Sequence, residues 1–458
     1  MPMFRGRANR IHFVGIGGIG MSGIAELLVN LGYRVSGSDI SSSDVTHRLG
    51  ELGATIFEGH EEANIHGADV VVVSSAVRPT NPEVVGARQL RIPVIPRAEM
   101  LAELMRMKFG IAVAGSHGKT TTTSMLAVIC AAAKLDPTVV VGGRLRSLGT
   151  SARLGQGDYL VAEADESDGS FLKLSPTIAI VTNIDPEHLD HYGSFDNLRT
   201  AFVDFINRVP FYGGAVLCFD DAAVRSILPK VDKPMLSYGL SVQAELRGHA
   251  LHATERGVRF SVDLRGDPLG VVELPFPGKH NVRNALAAIG ASLELEIPFE
   301  VTARALAEFD GVARRLEEVG IIDEITVVDD YGHHPTEVLA TLSALRQSRA
   351  RPLRVVFQPH RYTRTRDLFD EFLAAFDEAD HVAITDIYPA SEEPIDGISG
   401  KALVDAIAAR GHRSVTHTGS LEDALDWMVQ TAKPGEILLT LGAGSVSSLS
   451  RRFIEAKK

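Results

Sequence analysis

The sequence predicts an α/β protein with three domains, and three observations lead to this fold class. Strand-like and helix-like segments alternate along most of the chain, which favours parallel sheets covered by helices. A unit of strand, glycine loop and helix begins near Ile11 and again near Ile111, and a third alternating series follows Phe309. With 458 residues, the chain is also too long for a single ordinary core.

The repeated units place the domain boundaries. We expect a Rossmann-like N-terminal domain over residues 1–106, a central P-loop ATPase-type domain with a mixed sheet over 107–310, and a Rossmann-like C-terminal domain over 311–458. The valine run at 70–73 is typical of a strand that is buried on both faces. Short alternating runs with Gly and Pro between 246 and 276 predict antiparallel strands within the central domain.

Composition narrows the class of partner. The formal net charge of −12 argues against non-specific nucleic-acid binding, which needs a basic surface. No apolar run approaches the roughly 20 residues of a membrane span, and the polar start leads directly into a strand, unlike a signal peptide. Two cysteines, Cys130 and Cys218, form neither a disulfide framework nor a zinc motif. We therefore expect a cytoplasmic monomer or homodimer that acts on small molecules, with neither nucleic acid nor membrane as partner.

The clearest functional pattern is the segment GSHGKT at Gly115–Thr120, between a predicted strand and a predicted helix. Glycines let backbone N–H groups wrap a phosphate, and the helix N-terminus favours negative charge. Lys119 can reach the β- and γ-phosphates, and the Thr120 hydroxyl can bind Mg²⁺ or Mn²⁺. The pattern predicts ATP as a ligand. The expected ATP-binding residues here are Gly115, Ser116, His117, Gly118, Lys119, Thr120 and Thr121.

This phosphate loop is shorter than the usual GxxxxGK[ST] pattern, because Val113 stands where the first glycine would be. The alternative is a glycine-rich turn in which the lysine is coincidental. The strand before it, the helix after it and the run of four threonines favour phosphate binding.

A first glycine loop, GIGGIG at 15–20, also follows a strand and opens a helix. Asp39 ends the next predicted strand, where an acid that binds a ribose would lie. The expected ligand-binding residues are Gly15, Gly17, Gly18, Gly20 and Asp39. The loop can bind the diphosphate of NAD or that of a nucleotide sugar, and close packing of strand and helix would also explain its glycines.

Two candidate metal ligands follow strands of the central domain. Glu163 ends one predicted strand, and His188 lies just beyond another. Because ligands bind beyond the carboxyl ends of strands in open α/β sheets, both could lie near the phosphate loop. The alternative is solvated loop charge, which is the more typical interpretation of Asp165, Glu166, Asp190 and His191.

Together these patterns resemble the Mur ligase family over nearly the whole chain. Several long motifs in the right order carry the resemblance more specifically than either glycine loop. They occupy residues 15–20, 115–120, 163–171, 183–192, 278–285, 329–335 and 358–364.

The resemblance implies that the first domain binds a UDP-sugar, the second ATP and the third an amino acid. It implies an ATP-dependent ligase of peptidoglycan precursor synthesis, which joins L-alanine to the lactyl carboxylate of UDP-N-acetylmuramate through an acyl phosphate. Three alternatives remain: a peptide-recycling ligase of the same family, an NAD(P)-dependent oxidoreductase and a non-catalytic nucleotide-binding regulator.

The resemblance also implies roles for individual residues. Lys119 would contact the γ-phosphate, and Thr120, Glu163 and His188 would hold metal. The expected catalytic residues are Lys119, Glu163, His188 and His333. Of these, His333 is the candidate for the base that the attacking amine needs, because the amine must be neutral to attack. His280, Asn281, Arg314 or Arg315, and Asp329 would serve ATP. The amino-acid side would comprise Asp329, Tyr331, His333, Arg361 and Arg364. Many members carry a carbamylated lysine that bridges two metals, but this chain has no lysine between His188 and Phe219.

Overall fold

A computed structural model describes residues 8–74, 76–141, 152–254, 257–348 and 351–458. Residues 1–7, the start of the polar segment considered above, lie outside these ranges. Three sheets organise the described chain. They confirm the predicted three-domain α/β fold class.

The first sheet has five parallel strands in the order β3-β2-β1-β4-β5. This arrangement confirms the predicted Rossmann-like N-terminal fold. The strands are β1 (Arg10–Val14), β2 (Arg34–Asp39), β3 (Thr55–Glu58), β4 (Val70–Val73) and β5 (Val94–Pro96).

Apolar residues cover both faces of this sheet. Phe13 and Val72 belong to a large core on one side, and Val14 and Val71 belong to a smaller core on the other. Successive side chains point to opposite faces of a strand, so a continuous apolar run is buried only when both faces are covered. The prediction from the valine run is therefore confirmed.

The second sheet is mixed and has ten strands in the order β15-β14-β13-β12-β11-β10-β6-β9-β7-β8. The pair β7 and β8 is antiparallel, whereas β6 lies parallel to both of its neighbours. The strands are β6 (Phe109–Ala114), β7 (Thr138–Val140), β8 (Ala152–Arg153), β9 (Tyr159–Glu163), β10 (Ile178–Val181), β11 (Gly214–Cys218), β12 (Met235–Gly239), β13 (Leu246–Ala253), β14 (Val258–Leu264) and β15 (Asp267–Leu274).

The third sheet has six strands in the order β16-β17-β21-β18-β19-β20, and all pairs are parallel except β16 with β17. Separate apolar cores lie on its two faces, around Phe357 and around Phe453. The strands are β16 (Glu317–Ile322), β17 (Ile325–Asp330), β18 (Leu353–Phe357), β19 (His381–Thr385), β20 (Val415–Gly419) and β21 (Ile437–Leu441).

Helices connect the strands. In the described chain they are α1 (Ile19–Asn30), α2 (Asp44–Glu51), α3 (Pro82–Gln89), α4 (Arg97–Met105), α5 (Lys119–Ala132), α6 (Leu189–Tyr192), α7 (Phe195–Ile206), α8 (Ala222–Ile227), α9 (Lys279–Glu294), α10 (Phe299–Ala307), α11 (Pro335–Ser348), α12 (Tyr362–Asp367), α13 (Phe369–Ala375), α14 (Gly400–Arg410), α15 (Leu421–Thr431) and α16 (Ser447–Ala456). Among the residues described, no helix combines the length and apolar character that crossing a membrane requires.

The chain forms two compact units. The first comprises Met1–His249, Ser261–Val272 and Arg283–Asp310, and the second comprises Ala250–Phe260, Glu273–Val282 and Gly311–Lys458. The three domain boundaries expected from the sequence stay predictions.

Candidate nucleotide-binding site

The phosphate loop of the first unit joins β6 to α5, as predicted. Gly115 and Gly118 both have positive φ angles, of +133° and +82°. A Cβ atom on Gly115 would lie 2.1 Å from Thr182 Oγ1, and one on Gly118 would lie 2.5 Å from Asn284 Oδ1. Both positions therefore need glycine, for backbone conformation and for space.

The segment after β10 holds the phosphate loop in shape. Asn183 accepts two hydrogen bonds from the loop, from Ser116 N–H at 3.1 Å and from His117 N–H at 2.8 Å. Its side-chain N–H donates to His117 O, and Thr182 Oγ1 donates to the same oxygen at 2.6 Å. His117 Nε2 lies 2.7 Å from Asp185 Oδ2. Asn183 lies in the family motif at 183–192, but the sequence alone gave no signal of this supporting role.

Lys119, the first residue of α5, points into the loop and forms an ion pair with Glu166. Lys119 Nζ lies 2.8 Å from each Glu166 oxygen and also donates to Gly115 O at 2.6 Å. Burial favours a neutral amine, but the carboxylates of Glu166, Asp165 and Glu163 outweigh it and raise the pKa of Lys119. The lysine therefore carries its positive charge at the place where a phosphate would bind.

Glu166 corrects the prediction that the acidic run is solvated. Glu166 is only 2% exposed. Burial raises the pKa of its carboxyl to about 7, although the neighbouring Lys119 opposes this shift. The polar residues around Glu166 gave no signal of its burial, because the burial depends on Lys119, which lies 47 positions away in the sequence.

The predicted metal ligands flank the phosphate loop. Glu163 ends β9 and pairs with Val113 of β6, and His188 follows β10 on the opposite side of β6. His188 has a φ of +56°, and its Nε2 lies 3.5 Å from Glu187 Oε2. The hydroxyl of Tyr192 donates to Glu166 O at 2.5 Å, which links the segment after β10 to the segment after β9.

The first glycine loop joins β1 to α1, as predicted, and its early amides are bonded within the protein. Gly15 and Ile16 N–H donate to Ser38 O at 2.8 and 3.0 Å, and Gly18 N–H donates to Gly15 O at 3.2 Å. Gly17 N–H donates to Asp39 Oδ2 at 2.8 Å. Asp39, expected to bind a ribose, is thus also a hydrogen-bond acceptor for the loop.

A cavity of about 260 Å³ opens beside Asp39. Ser41, Thr46 and His47 contribute polar groups to its lining, and Phe57 contributes an aromatic ring. A polar and aromatic lining of this kind suits a nucleoside.

In the second unit, three of the predicted residues form one cluster. Arg314 Nε donates to Asp329 Oδ2 at 3.1 Å, and its guanidinium lies 4.8 Å from the centre of the Tyr331 ring. Arg315 lies over the same ring at 5.3 Å. Burial raises the pKa of Asp329, although Thr440 and Arg314 oppose the shift.

A second cluster in this unit contains His333 and the arginines predicted for the amino-acid side. The ring centres of His333 and His360 are 5.8 Å apart, and His360 stacks on Tyr388. Arg364 Nη1 lies 3.4 Å from His360 Nδ1. Burial lowers the pKa of His360 to about 4, helped by His333, Arg364 and Arg361. His360 was not among the predicted site residues, although it lies in the motif at 358–364.

The remaining predicted residues, His280 and Asn281, lie in the first turn of α9. Asn281 Nδ2 donates to Pro277 O at 2.8 Å. Gly278 has a φ of +100°, and a Cβ atom there would lie 2.7 Å from His280 Cε1. The close turn thus fixes the start of α9, and the ATP-binding role of these residues stays a prediction.

A Rossmann-like glycine loop followed by a phosphate loop with a partly buried, ion-paired lysine defines a nucleotide-using α/β enzyme. Three family models match successive parts of the chain: "Mur ligase family, catalytic domain" at residues 10–109, "Mur ligase middle domain" at 113–292 and "Mur ligase, glutamate ligase domain" at 314–444. The chain belongs to the Mur ligase family, whose members are ATP-dependent ligases.

Two similar proteins are UDP-N-acetylmuramate–L-alanine ligases. One, from Geotalea daltonii, is 55% identical over 98% of each chain, and the other, from Geobacter sp. (strain M21), is 57% identical over 96% of each. Among solved structures, UDP-N-acetylmuramate-alanine ligase from Thermotoga maritima matches with a TM-score of 0.83 and 31% identity over 98% of both chains. A murein peptide ligase from Psychrobacter arcticus matches with a TM-score of 0.72 and 26% identity over 98% of both chains.

Proposed function

We propose that this chain uses ATP to join L-alanine to the lactyl carboxylate of UDP-N-acetylmuramate in peptidoglycan synthesis, with release of ADP and phosphate. The observation that carries the proposal is Lys119, which is held in the glycine loop by Gly115 O and Glu166 and provides a fixed charge for a triphosphate. Relatives that are 53–57% identical over nearly the whole chain and bear the alanine-ligase name support the choice of substrates. They favour alanine addition over peptide recycling, and family membership favours a ligase over an oxidoreductase or a regulator.

The chemistry requires activation of a carboxylate. A free carboxylate is a poor acylating agent, because its leaving group would be oxide. Transfer of the γ-phosphoryl group to the lactyl oxygen gives an acyl phosphate, from which phosphate leaves when the amine of alanine attacks. Phosphoryl transfer depends mainly on positioning and charge neutralisation, and Lys119 provides both.

The donor set beside the phosphate loop fits Mg²⁺. A hydroxyl from Thr120, a carboxylate from Glu163 and an imidazole from His188 follow three adjacent strands, β6, β9 and β10. These residues would hold the ion, which when bound neutralises charge on the triphosphate. Glu163 also contributes to the raised pKa of Lys119, so its charge already acts on the phosphate loop.

The residues proposed to bind the amino acid belong to the second unit. Arg361 and Arg364 offer positive charge for the carboxylate of alanine, and Tyr331 lies beside His333 with ring centres 5.4 Å apart. The attacking amine must be neutral, and His333 accepts its proton. In the first unit, the GIGGIG loop and the cavity beside Asp39 bind the UDP part of the sugar substrate.

Location and assembly follow from the same proposal. The protein acts in the cytoplasm as a monomer or homodimer. Cys130 and Cys218 are both buried free thiols, which suits a reducing compartment.

A phosphate-release assay tests the proposal. With ATP, Mg²⁺ and UDP-N-acetylmuramate present, L-alanine should stimulate phosphate release, whereas the tripeptide L-alanyl-γ-D-glutamyl-meso-diaminopimelate should not. Lys119→Ala should abolish the alanine-dependent activity but still bind the UDP-sugar, since the first glycine loop is separate from Lys119. Stimulation by the tripeptide alone would favour the recycling ligase, and normal turnover by Lys119→Ala would contradict the role of the phosphate loop.

A further inference from the structure

In the first unit, the side chain of Arg97 lies between the first glycine loop and the segment after β9. It is the first residue of α4, directly after β5, and its side chain is 31% exposed. A Cβ atom on Gly20 would lie 1.7 Å from Arg97 Nη1 and 2.9 Å from Arg97 Cζ. The guanidinium therefore lies directly against the backbone of the last glycine of the GIGGIG loop.

The other edge of the same guanidinium faces the segment after β9. Arg97 Nη2 donates to Asp165 Oδ2 at 3.1 Å, and Asp165 is the neighbour of Glu166, the partner of Lys119. Asp165 Oδ1 also accepts a hydrogen bond from Ser167 N–H at 3.1 Å. The Arg97 guanidinium thus links the first glycine loop to the segment after β9, which contains the partner of Lys119.

Such a cation would help the first glycine loop to bind a diphosphate, because the amides of its first four residues are already bonded. Gly15, Ile16 and Gly18 N–H donate to carbonyl oxygens of the protein, and Gly17 N–H donates to the Asp39 carboxyl group. These four amides are therefore already bonded, and the Asp39 carboxyl group beside Gly17 offers a diphosphate no positive charge. An arginine offers several donors and a permanent charge, and it binds phosphate oxygens in a fixed geometry.

We propose that Arg97 binds the diphosphate of the sugar nucleotide. The inference rests on the proposed function and adds a binding residue to it. The diphosphate lies over Gly20. There the Arg97 guanidinium supplies the positive charge that neither the bonded amides of the loop nor Asp39 can supply. A side chain at position 20 would displace the Arg97 guanidinium from this place.

The alternative is that Arg97 only stabilises the packing of α4. The chain offers a matched control, because Lys173 and Glu99 form an ion pair between the same two segments. Lys173 Nζ lies 3.0 Å from Glu99 Oε2, and both side chains are about as exposed as Asp165, at 44% and 43%. If the Arg97–Asp165 ion pair were purely structural, its loss should change UDP binding about as much as the loss of the Lys173–Glu99 pair.

Calorimetric titration of the full-length protein with UDP tests the proposal. Arg97→Ala should weaken UDP binding by about 10- to 100-fold, as expected for the loss of charged hydrogen bonds. Arg97→Lys should have an intermediate effect, because a lysine keeps the charge but loses the planar pair of donors. Lys173→Ala should bind UDP like the wild-type protein, and every variant should bind ADP within about twofold of it.

A mutant cycle provides a second readout. Gly20→Ala should weaken UDP binding about as much as Arg97→Ala does, and the double variant should show little further loss, because both changes remove the same contact. Additive losses would overturn the proposal. So would an equal loss in Lys173→Ala, which would indicate a packing role.

Two ligands test which anionic group of the sugar nucleotide Arg97 binds. Arg97→Ala should weaken UDP and UDP-N-acetylmuramate by the same factor if the contact is to the diphosphate. A loss confined to UDP-N-acetylmuramate would assign Arg97 to the lactyl carboxylate and overturn the proposal. If the wild-type protein bound neither nucleotide, the proposed function itself would fail; if it bound UDP and Arg97→Ala bound it equally well, only the role of Arg97 would fail.

Discussion

At the scale of single residues, the Lys119–Glu166 pair dominates the nucleotide site. Two charges are removed from water here, which is favourable only because each neutralises the other at 2.8 Å. A phosphate that reaches Lys119 must compete with the Glu166 carboxylate. The ion pair therefore opposes the binding of nucleotide when no metal is present to neutralise the phosphates.

Glu166→Gln should strengthen the binding of magnesium-free ADP, because it removes a buried negative charge from the phosphate site. The effect should depend on pH. Burial raises the pKa of Glu166 to about 7, so the wild-type carboxyl loses its charge as the pH falls through 7. The affinity of the wild-type protein for ADP should consequently approach that of Glu166→Gln at pH 6 and fall behind it at pH 8.

Isothermal titration at several pH values measures this difference, and ADP's own protonation affects both proteins equally. Glu103→Gln is a suitable control, because Glu103 forms an exposed ion pair with Arg106. An equal pH dependence in the wild-type protein and Glu166→Gln would contradict the competition.

At the scale of elements, the connection from β6 to α5 depends on glycine geometry and on the segment after β10. Gly115 has a φ of +133°, and a Cβ atom there would lie 3.0 Å from Asn183 O as well as against Thr182. Backbone atoms of a buried strand end cannot move aside as a flexible side chain can. A substitution at this position must therefore distort the loop itself.

Gly115→Ala should bind ADP at least about 10-fold more weakly and should lose about 1–3 kcal/mol of stability from backbone strain. Gly53→Ala separates the two effects, since Gly53 has a φ of +109° but no atom within 4 Å of the added carbon. That variant should be destabilised by strain yet bind ADP normally. Denaturant unfolding and calorimetry provide the two measurements, and normal ADP binding by Gly115→Ala would refute the steric argument.

At the scale of the whole molecule, the protein has the same sign of charge as its proposed substrates. A formal net charge of −12 repels ATP and a UDP-sugar at long range, so binding depends on cations held at particular places. The cations that we propose for this are Lys119 for the triphosphate and Arg97 for the diphosphate. An acyl-phosphate mechanism requires ATP and the UDP-sugar to be bound in the same reaction, because the γ-phosphoryl group passes from one to the other.

Oxygen-18 placed in the lactyl carboxylate should appear in the phosphate that the reaction releases. Transfer of the γ-phosphoryl group to that carboxylate leaves one labelled oxygen attached to phosphorus when the amine displaces phosphate. Mass spectrometry of the released phosphate detects the label. Unlabelled phosphate in a reaction that forms the amide would exclude the acyl phosphate.

Local patterns predicted much of this structure. The buried strand at Val70–Val73, the strand that Glu163 ends and both glycine loops were predictable because residue patterns and glycine spacing are local signals. The burial of Glu166 was not, because an acidic run is normally solvated and its partner lies on another element. The position of Arg97 against Gly20 likewise depends on how α4 packs on α1.

The hydrogen bonds of Asn183 have one further consequence, which concerns the kinetics of nucleotide binding and release. Because its carbonyl and amide groups already anchor Ser116 and His117, the phosphate loop acquires its curvature when the protein folds and not when a ligand arrives. Little conformational entropy then remains to be lost on association. The lifetime of the bound nucleotide should accordingly reflect how readily the Lys119 ammonium exchanges a carboxylate for a phosphate.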